Sequence, residues 1–191
     1  MRTFEKTTLA LCLFAILLSI YTLQTRSHIA AVVHHIVHPH SQPKPDPFII
    51  KVTSTIVKRY SVDSDLAKAV AESASRHQYT TFPKAADIVA IVAIESSFNP
   101  LAKSKLKTDP ALGLTQIRNV AWKKQIAGDD MTQIDAQIKH GAYILAHYYS
   151  VTQDKDKAIM AYNVGLKAVM KGRKSENYLK KYNREIIAFN G

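Results

Sequence analysis

Glu95 is the residue whose setting most invites chemistry. It stands at the end of an almost unbroken apolar run, Ala85-Ala86-Asp87-Ile88-Val89-Ala90-Ile91-Val92-Ala93-Ile94, and is followed by Ser96. A run apolar on all sides reads as a buried central helix. A carboxylate at its end is costly to ionise, so burial raises its pKa and keeps it protonated near neutral pH. That is the state in which a general acid donates to a leaving oxygen. From the pattern alone, a Glu facing solvent at a helix end remains the plainer reading.

The elements that must position Glu95 are helical. Ile49, Val52, Ile56 and Val57 share one face of a helix over residues 48–60. Ser64 or Asp65 reads as the N-cap of a helix running to His77. Pro83 suits the first position of the central helix, where its missing N–H costs little, and Asn99-Pro100 should end it. A polar loop over 101–112 leads to a further helix near Gly113 to Thr115. Helices over 134–150, 154–162, with Gly165 at its end, and 178–189 complete the expectation. No strand signal of comparable strength is present, and no repeat. The fold class is therefore mainly α.

The chain has 191 residues, enough for one domain with an N-terminal appendage. Its single cysteine, Cys12, excludes an intrachain disulfide and a CxxC metal site. The net charge is +11; residues 48–191 hold 22 basic and 13 acidic side chains, a net of +9. Such a surface suits an anionic polymer: nucleic acid, an anionic membrane face or a bacterial wall. No nucleic-acid motif or aromatic-interleaved basic patch is present, so nucleic acid is not the expected partner.

Residues 7–23 are apolar and uncharged, with Arg2 and Lys6 ahead of them. As a helix they would span about 25 Å at about 1.5 Å per residue, a little short of a ~30 Å hydrocarbon core. Residues 1–27 thus read as a membrane anchor, with a cleaved signal segment as the alternative. The basic residues ahead of the segment would turn the rest of the chain outward, towards the periplasm or cell wall. Residues 28–47 hold His28, His34, His35, His38 and His40 with Pro39, Pro43, Pro45 and Pro47. They read as a stiff solvated stalk rather than a metal site, and no metal or cofactor is expected. The globular domain is expected over 48–191.

Four motifs in order then carry a family resemblance. Ala93-Ile94-Glu95-Ser96-Ser97-Phe98-Asn99-Pro100 resembles the Glu-Ser motif of lytic transglycosylases, in the soluble and goose-lysozyme-like branch. Ala111-Leu112-Gly113-Leu114-Thr115-Gln116-Ile117 resembles that family's Gly-Leu-Met-Gln motif. Residues 135–145 look like the helix in which a Gly and then a Tyr-Leu pair pack below the active site; here they are Gly141, Tyr143 and Ile144-Leu145. Ala161-Tyr162-Asn163-Val164-Gly165 resembles the Ala-Tyr-Asn-x-Gly motif, and Tyr178-Leu179 stands where the family has Tyr-Val. The resemblance covers about residues 68 to 187.

The resemblance implies a lysozyme-like fold and cleavage of the MurNAc–GlcNAc bond of peptidoglycan. Glu95 would protonate the leaving oxygen, then act as base towards the C6 hydroxyl of the same MurNAc. A 1,6-anhydro end would form without water, so one carboxylate suffices where other glycosidases use two. Ser96 would orient Glu95, and Gly113 would let backbone approach the sugar. Gln116 would hold the cleft wall, and Tyr162 would reach the Glu95 carboxyl. Asn163 would tie the backbone, and Tyr178 would line the cleft. Such small anchored enzymes serve phage entry, secretion machines, pili or conjugation, so a larger envelope or virion assembly is a possible partner.

Three positions depart from the family pattern. Thr115 replaces Met, which normally packs on the sugar. Asp109-Pro110 replaces a small residue, and Asp109, 14 residues after Glu95, could activate water and make the protein a muramidase. Gln137 replaces Asn and bears on packing. A second Glu-Ser, Glu72-Ser73, lacks the following Phe-Asn-Pro and lies 41 residues from Gly113, so Glu72 reads as an exposed helix residue. A non-catalytic basic wall-binding or nucleic-acid-binding module is the rival from another class.

Overall fold

A computed structural model describes residues 46–190. The anchor and the His/Pro-rich stalk lie outside the described residues. Within them, eight helices and one two-stranded hairpin are present, in the order α1 Pro47–Tyr60, α2 Ser64–His77, α3 Ala85–Ser96, β1 Ala111–Leu112, β2 Ile117–Arg118, α4 Lys123–Ile126, α5 Ile134–Thr152, α6 Lys155–Val164, α7 Leu166–Met170 and α8 Glu176–Asn190. None of these helices is long and apolar enough to cross a membrane.

α3 is the central helix. Every residue from Ala85 to Ala93 is buried, Asp87 included, and the helix packs between α2 and α8. Asp87 tolerates burial because its carboxylate is fully engaged. It accepts from Lys84 N at 2.7 Å and from the Tyr182 hydroxyl, and pairs with Lys155 Nζ at 2.9 Å. The helix therefore starts on an Asp87–Lys84 contact at Ala85, two residues beyond the expected Pro83 start. It stops at Ser97, whose left-handed conformation (φ 50°) breaks the ladder before Asn99-Pro100 is reached.

The flanking helices form for local reasons. Asp46 accepts from Phe48 N and Pro47 occupies the first turn of α1. Asp63, rather than Ser64 or Asp65, caps α2 through Asp65 N and Leu66 N. Asp154 caps α6 through Lys157 N. Phe98, directly after α3, is 1% exposed and holds the corner edge-on against Tyr60 and Phe189.

The segment after residue 110 departs from expectation. In place of a helix near Gly113 to Thr115 there is a hairpin, with Ala111 opposite Arg118 and Leu112 opposite Ile117. Gly113 has φ +74° and Gln116 φ +50°, which cannot begin a right-handed helix. The backbone N–H groups go elsewhere: Gly113 N to Ala102 O at 2.8 Å and Leu114 N to Gln137 Oε1 at 2.7 Å. Strands of two residues are too short to show a period.

Candidate active site

Glu95 sits in the last turn of α3, half-buried, where the apolar helix meets α8. Tyr178, buried in the first turn of α8, donates its hydroxyl to Glu95 Oε1 at 2.5 Å. Burial pushes the Glu95 pKa up to about 7, against the opposing pull of the Tyr178 hydrogen bond and the nearby Lys181 charge. The negative end of the α3 dipole acts in the same direction as burial. Burial and the Glu95 charge hold the Tyr178 hydroxyl well above its ordinary value, so it remains a donor throughout the working range.

Tyr162, in α6, is near enough that the Glu95 charge adds to burial in raising its pKa. Its hydroxyl does not reach the carboxyl, however. It donates to Thr115 O at 2.9 Å, tying α6 to the hairpin. The carboxyl contact expected of Tyr162 belongs to Tyr178. Tyr178 and Lys181 are three apart on α8 and so share a face, and both act on Glu95.

The hairpin motif folds inward. Thr115 is 1% exposed and its hydroxyl donates to Gln137 O at 2.8 Å. Its side chain points at Gly141 of α5, where an added Cβ would come within 2.5 Å of Thr115 Cγ2. Thr115 is therefore turned inward and packs against Gly141 of α5. Gly113 needs its positive φ, and an added Cβ would collide with the Gln137 amide. Gln137 is the bracket behind this loop, accepting from Leu114 N and donating to Met131 O at 3.0 Å. Gln116 Nε2 donates to Ala102 O and Gly113 O, closing the wall of the cleft.

A recess of about 370 Å³ runs along this wall, lined among others by Gln116, Arg118, Trp122, Tyr148, Tyr162 and Asn163. Asn163 is exposed, and its Oδ1 accepts from Ser175 Oγ at 2.8 Å, joining the end of α6 to the loop before α8. Trp122 and Tyr148 line this recess too, and the motifs did not single them out. Tyr143, in contrast, is 40% exposed and lines two other recesses.

The remaining candidates do structural work. Ser96 Oγ donates to Val92 O of its own helix at 3.1 Å and does not touch Glu95. Asp109 is buried: Oδ1 accepts from Val120 N at 3.0 Å, and Oδ2 accepts from Ala121 N and pairs with Arg118 at 3.2 Å. Both oxygens are thus committed to holding the chain beyond β2. Glu72 pairs with Lys68 on the outside of α2 at 3.7 Å. Among the described residues, no three His, Cys, Asp or Glu side chains stand together as a metal site.

A family model for the transglycosylase SLT domain matches residues 79–185. The chain belongs to this family. The match spans α3, the hairpin and all but the end of α8. Neither the curated proteins nor the solved structures gave a match. The molecule is a lysozyme-like peptidoglycan lytic transglycosylase, a lyase acting on the glycan strand. In this transglycosylase Tyr178 of α8 bonds the Glu95 carboxyl at the end of α3, and Tyr162 of α6 ties to the hairpin at Thr115 O.

Proposed function

We propose that Glu95 is the acid and base of the reaction and that the product carries a 1,6-anhydro-MurNAc end. The supporting observation is the half-buried Glu95 carboxyl, raised to about pKa 7 and held on one oxygen by Tyr178. Since the Tyr178 O–H donates to Oε1, the proton of the neutral acid belongs on Oε2. From there it passes to the glycosidic oxygen as the C1–O bond breaks. The substrate's N-acetyl oxygen stabilises the developing charge at C1. The Glu95 carboxylate then takes the proton of the C6 hydroxyl while O6 bonds to C1. Protons balance and no water enters, so no second carboxylate is required.

The commitments of Asp109 favour this route over hydrolysis, because neither of its oxygens is free to activate water. Gln116, Tyr162 and Asn163 would shape the cleft wall, and Gly113 would let the hairpin backbone approach the sugar. Residues 7–23 would anchor the enzyme and residues 28–47 would space it from the membrane, with the domain over 48–191 facing the wall. Glu95→Gln tests the assignment: release of muropeptides from purified sacculi should fall about 10²–10⁴-fold, the range that acid–base catalysis supplies. Equal release by variant and parent would overturn it.

A further inference from the structure

Two further recesses, of about 500 and 630 Å³, lie apart from the one that Gln116 and Tyr162 line, and Tyr79 and Tyr143 line both. Each tyrosine is 40% exposed. Tyr79 comes from the loop between α2 and α3, Tyr143 from the outer face of α5. The loop is fixed: Tyr79 N donates to Pro83 O at 2.8 Å, and Phe82 packs on Tyr149 of α5 at 5.1 Å between centroids. Tyr79 is therefore preorganised beside Tyr143.

The rings continue towards the cleft. Tyr143 stacks on His147 one turn on, with planes 7° apart and centroids at 6.4 Å. His147 meets Trp122 edge-on at 6.0 Å, and Trp122 lines the recess that holds Tyr162 and Gln116. A Tyr–His pair at i,i+4 supports a helix by itself. Helix support does not account for Tyr79 from a separate loop, nor for Trp122 bridging to the cleft. Gln125 and Lys139 line the smaller recess beside the rings, with one Lys139 Nζ hydrogen already given to Asp129 at 2.8 Å. Exposed rings with amide and ammonium neighbours match a sugar strand. Its C–H faces lie on the negative face of an aromatic ring, and its hydroxyl and acetamido edges take hydrogen bonds.

We infer that Tyr79 and Tyr143 form an accessory binding surface for a glycan strand, joined to the cleft through His147 and Trp122. The choice of ligand rests on the glycan-cleaving reading above. The surface would hold the polymer beside the cleft and take no part in bond breaking, so polymeric wall should depend on it and short fragments should not.

The test uses the full chain with Glu95→Gln, so that binding is read without cleavage. Sedimentation with purified sacculi should show affinity about tenfold weaker for Tyr79→Ala/Tyr143→Ala, as for truncated contact residues generally, while titration with the short oligomer chitohexaose should show no loss. Tyr143→Phe should retain binding, because it keeps the ring. With Glu95 restored, the double variant should lose a similar factor on sacculi and none on a short muropeptide oligomer. Unchanged sacculus affinity in a variant with a parental thermal melt overturns the inference, as does an equal loss on polymer and oligomer. If the parent binds sacculi but cleaves nothing while the double variant binds more weakly, the catalytic reading fails and this one stands.

Discussion

The hydroxyl of Tyr178 donates a 2.5 Å hydrogen bond to Oε1 of Glu95, 83 residues earlier in the chain. The contact joins the last turn of α3 to the first turn of α8. It also opposes the effect of burial, since a bond to the charged carboxylate favours ionisation. Glu95 is thus poised near neutrality by burial, the largest influence, set against the Tyr178 bond and the Lys181 charge.

The pH dependence follows from that balance. If the neutral acid is the active form, kcat/KM on sacculi should fall as pH rises through about 7. Tyr178→Phe removes an influence that lowers the pKa, so the alkaline limb should move to higher pH. Lys181→Ala should move it the same way. A pH–rate profile of each variant checks this. A shift to lower pH would mean that the Tyr178 bond favours the neutral acid instead.

Stability should carry the same signature. The folded-state pKa of Glu95 lies above its unfolded value of 4.5, so below pH 4.5 both states are protonated and the group is neutral towards folding. Above about 7 both are ionised, and the folded state bears the cost of a buried charge. Glu95→Gln should therefore stabilise the domain by about 1–3 kcal/mol at pH 8. The gain should shrink through the window between 7 and 4.5 and be absent at pH 4. Thermal melts across that range test the sign, and a gain independent of pH would refute it.

Asp109 offers a contrast between a structural and a chemical carboxylate. Asp109→Asn places an NH2 group among the Val120 and Ala121 N–H donors and Arg118. The unsatisfied contacts should cost about 1–3 kcal/mol of stability. The reaction products below the melting temperature should not change. A variant of parental stability that loses activity would return Asp109 to the chemistry.

The packing of Gly141 against Thr115 makes a prediction about folding alone. Gly141→Ala brings a methyl group within 2.5 Å of Thr115 Cγ2, which should cost about 1–3 kcal/mol of overpacking. Thr115→Ser removes that methyl and keeps the hydroxyl donor to Gln137 O, so it should recover part of the loss. A double-mutant cycle in denaturant measures the coupling. Strict additivity would show that the two residues do not meet.

Much of this architecture was legible in the sequence where burial imposes a period. α3 could be read because it is apolar all round, and α5 and α8 because their buried positions recur at helical spacing. Glu95 could be told from Glu72 by the residues that follow each. The hairpin was not legible, since four paired residues leave no alternation and Gly113 and Gln116 act through their φ angles. Nor could the motifs tell which tyrosine meets Glu95. That depends on the placement of α8 against α3, a tertiary fact, and it gave the bond to Tyr178 and left Tyr162 on Thr115 O. The inward turn of Thr115 was hidden for the same reason: its partner Gly141 is on another helix.

On the proposed route Glu95 acts alone, with the sugar's own C6 hydroxyl in place of water. Mass analysis of the fragments released from purified sacculi by the full chain tests it most directly. The expected fragments end in 1,6-anhydro-MurNAc, one water lighter than hydrolysed ends, and are lost with Glu95→Gln but kept with Asp109→Asn. Fragments ending only in reducing MurNAc, or anhydro ends that persist in the Glu95→Gln variant, would contradict it.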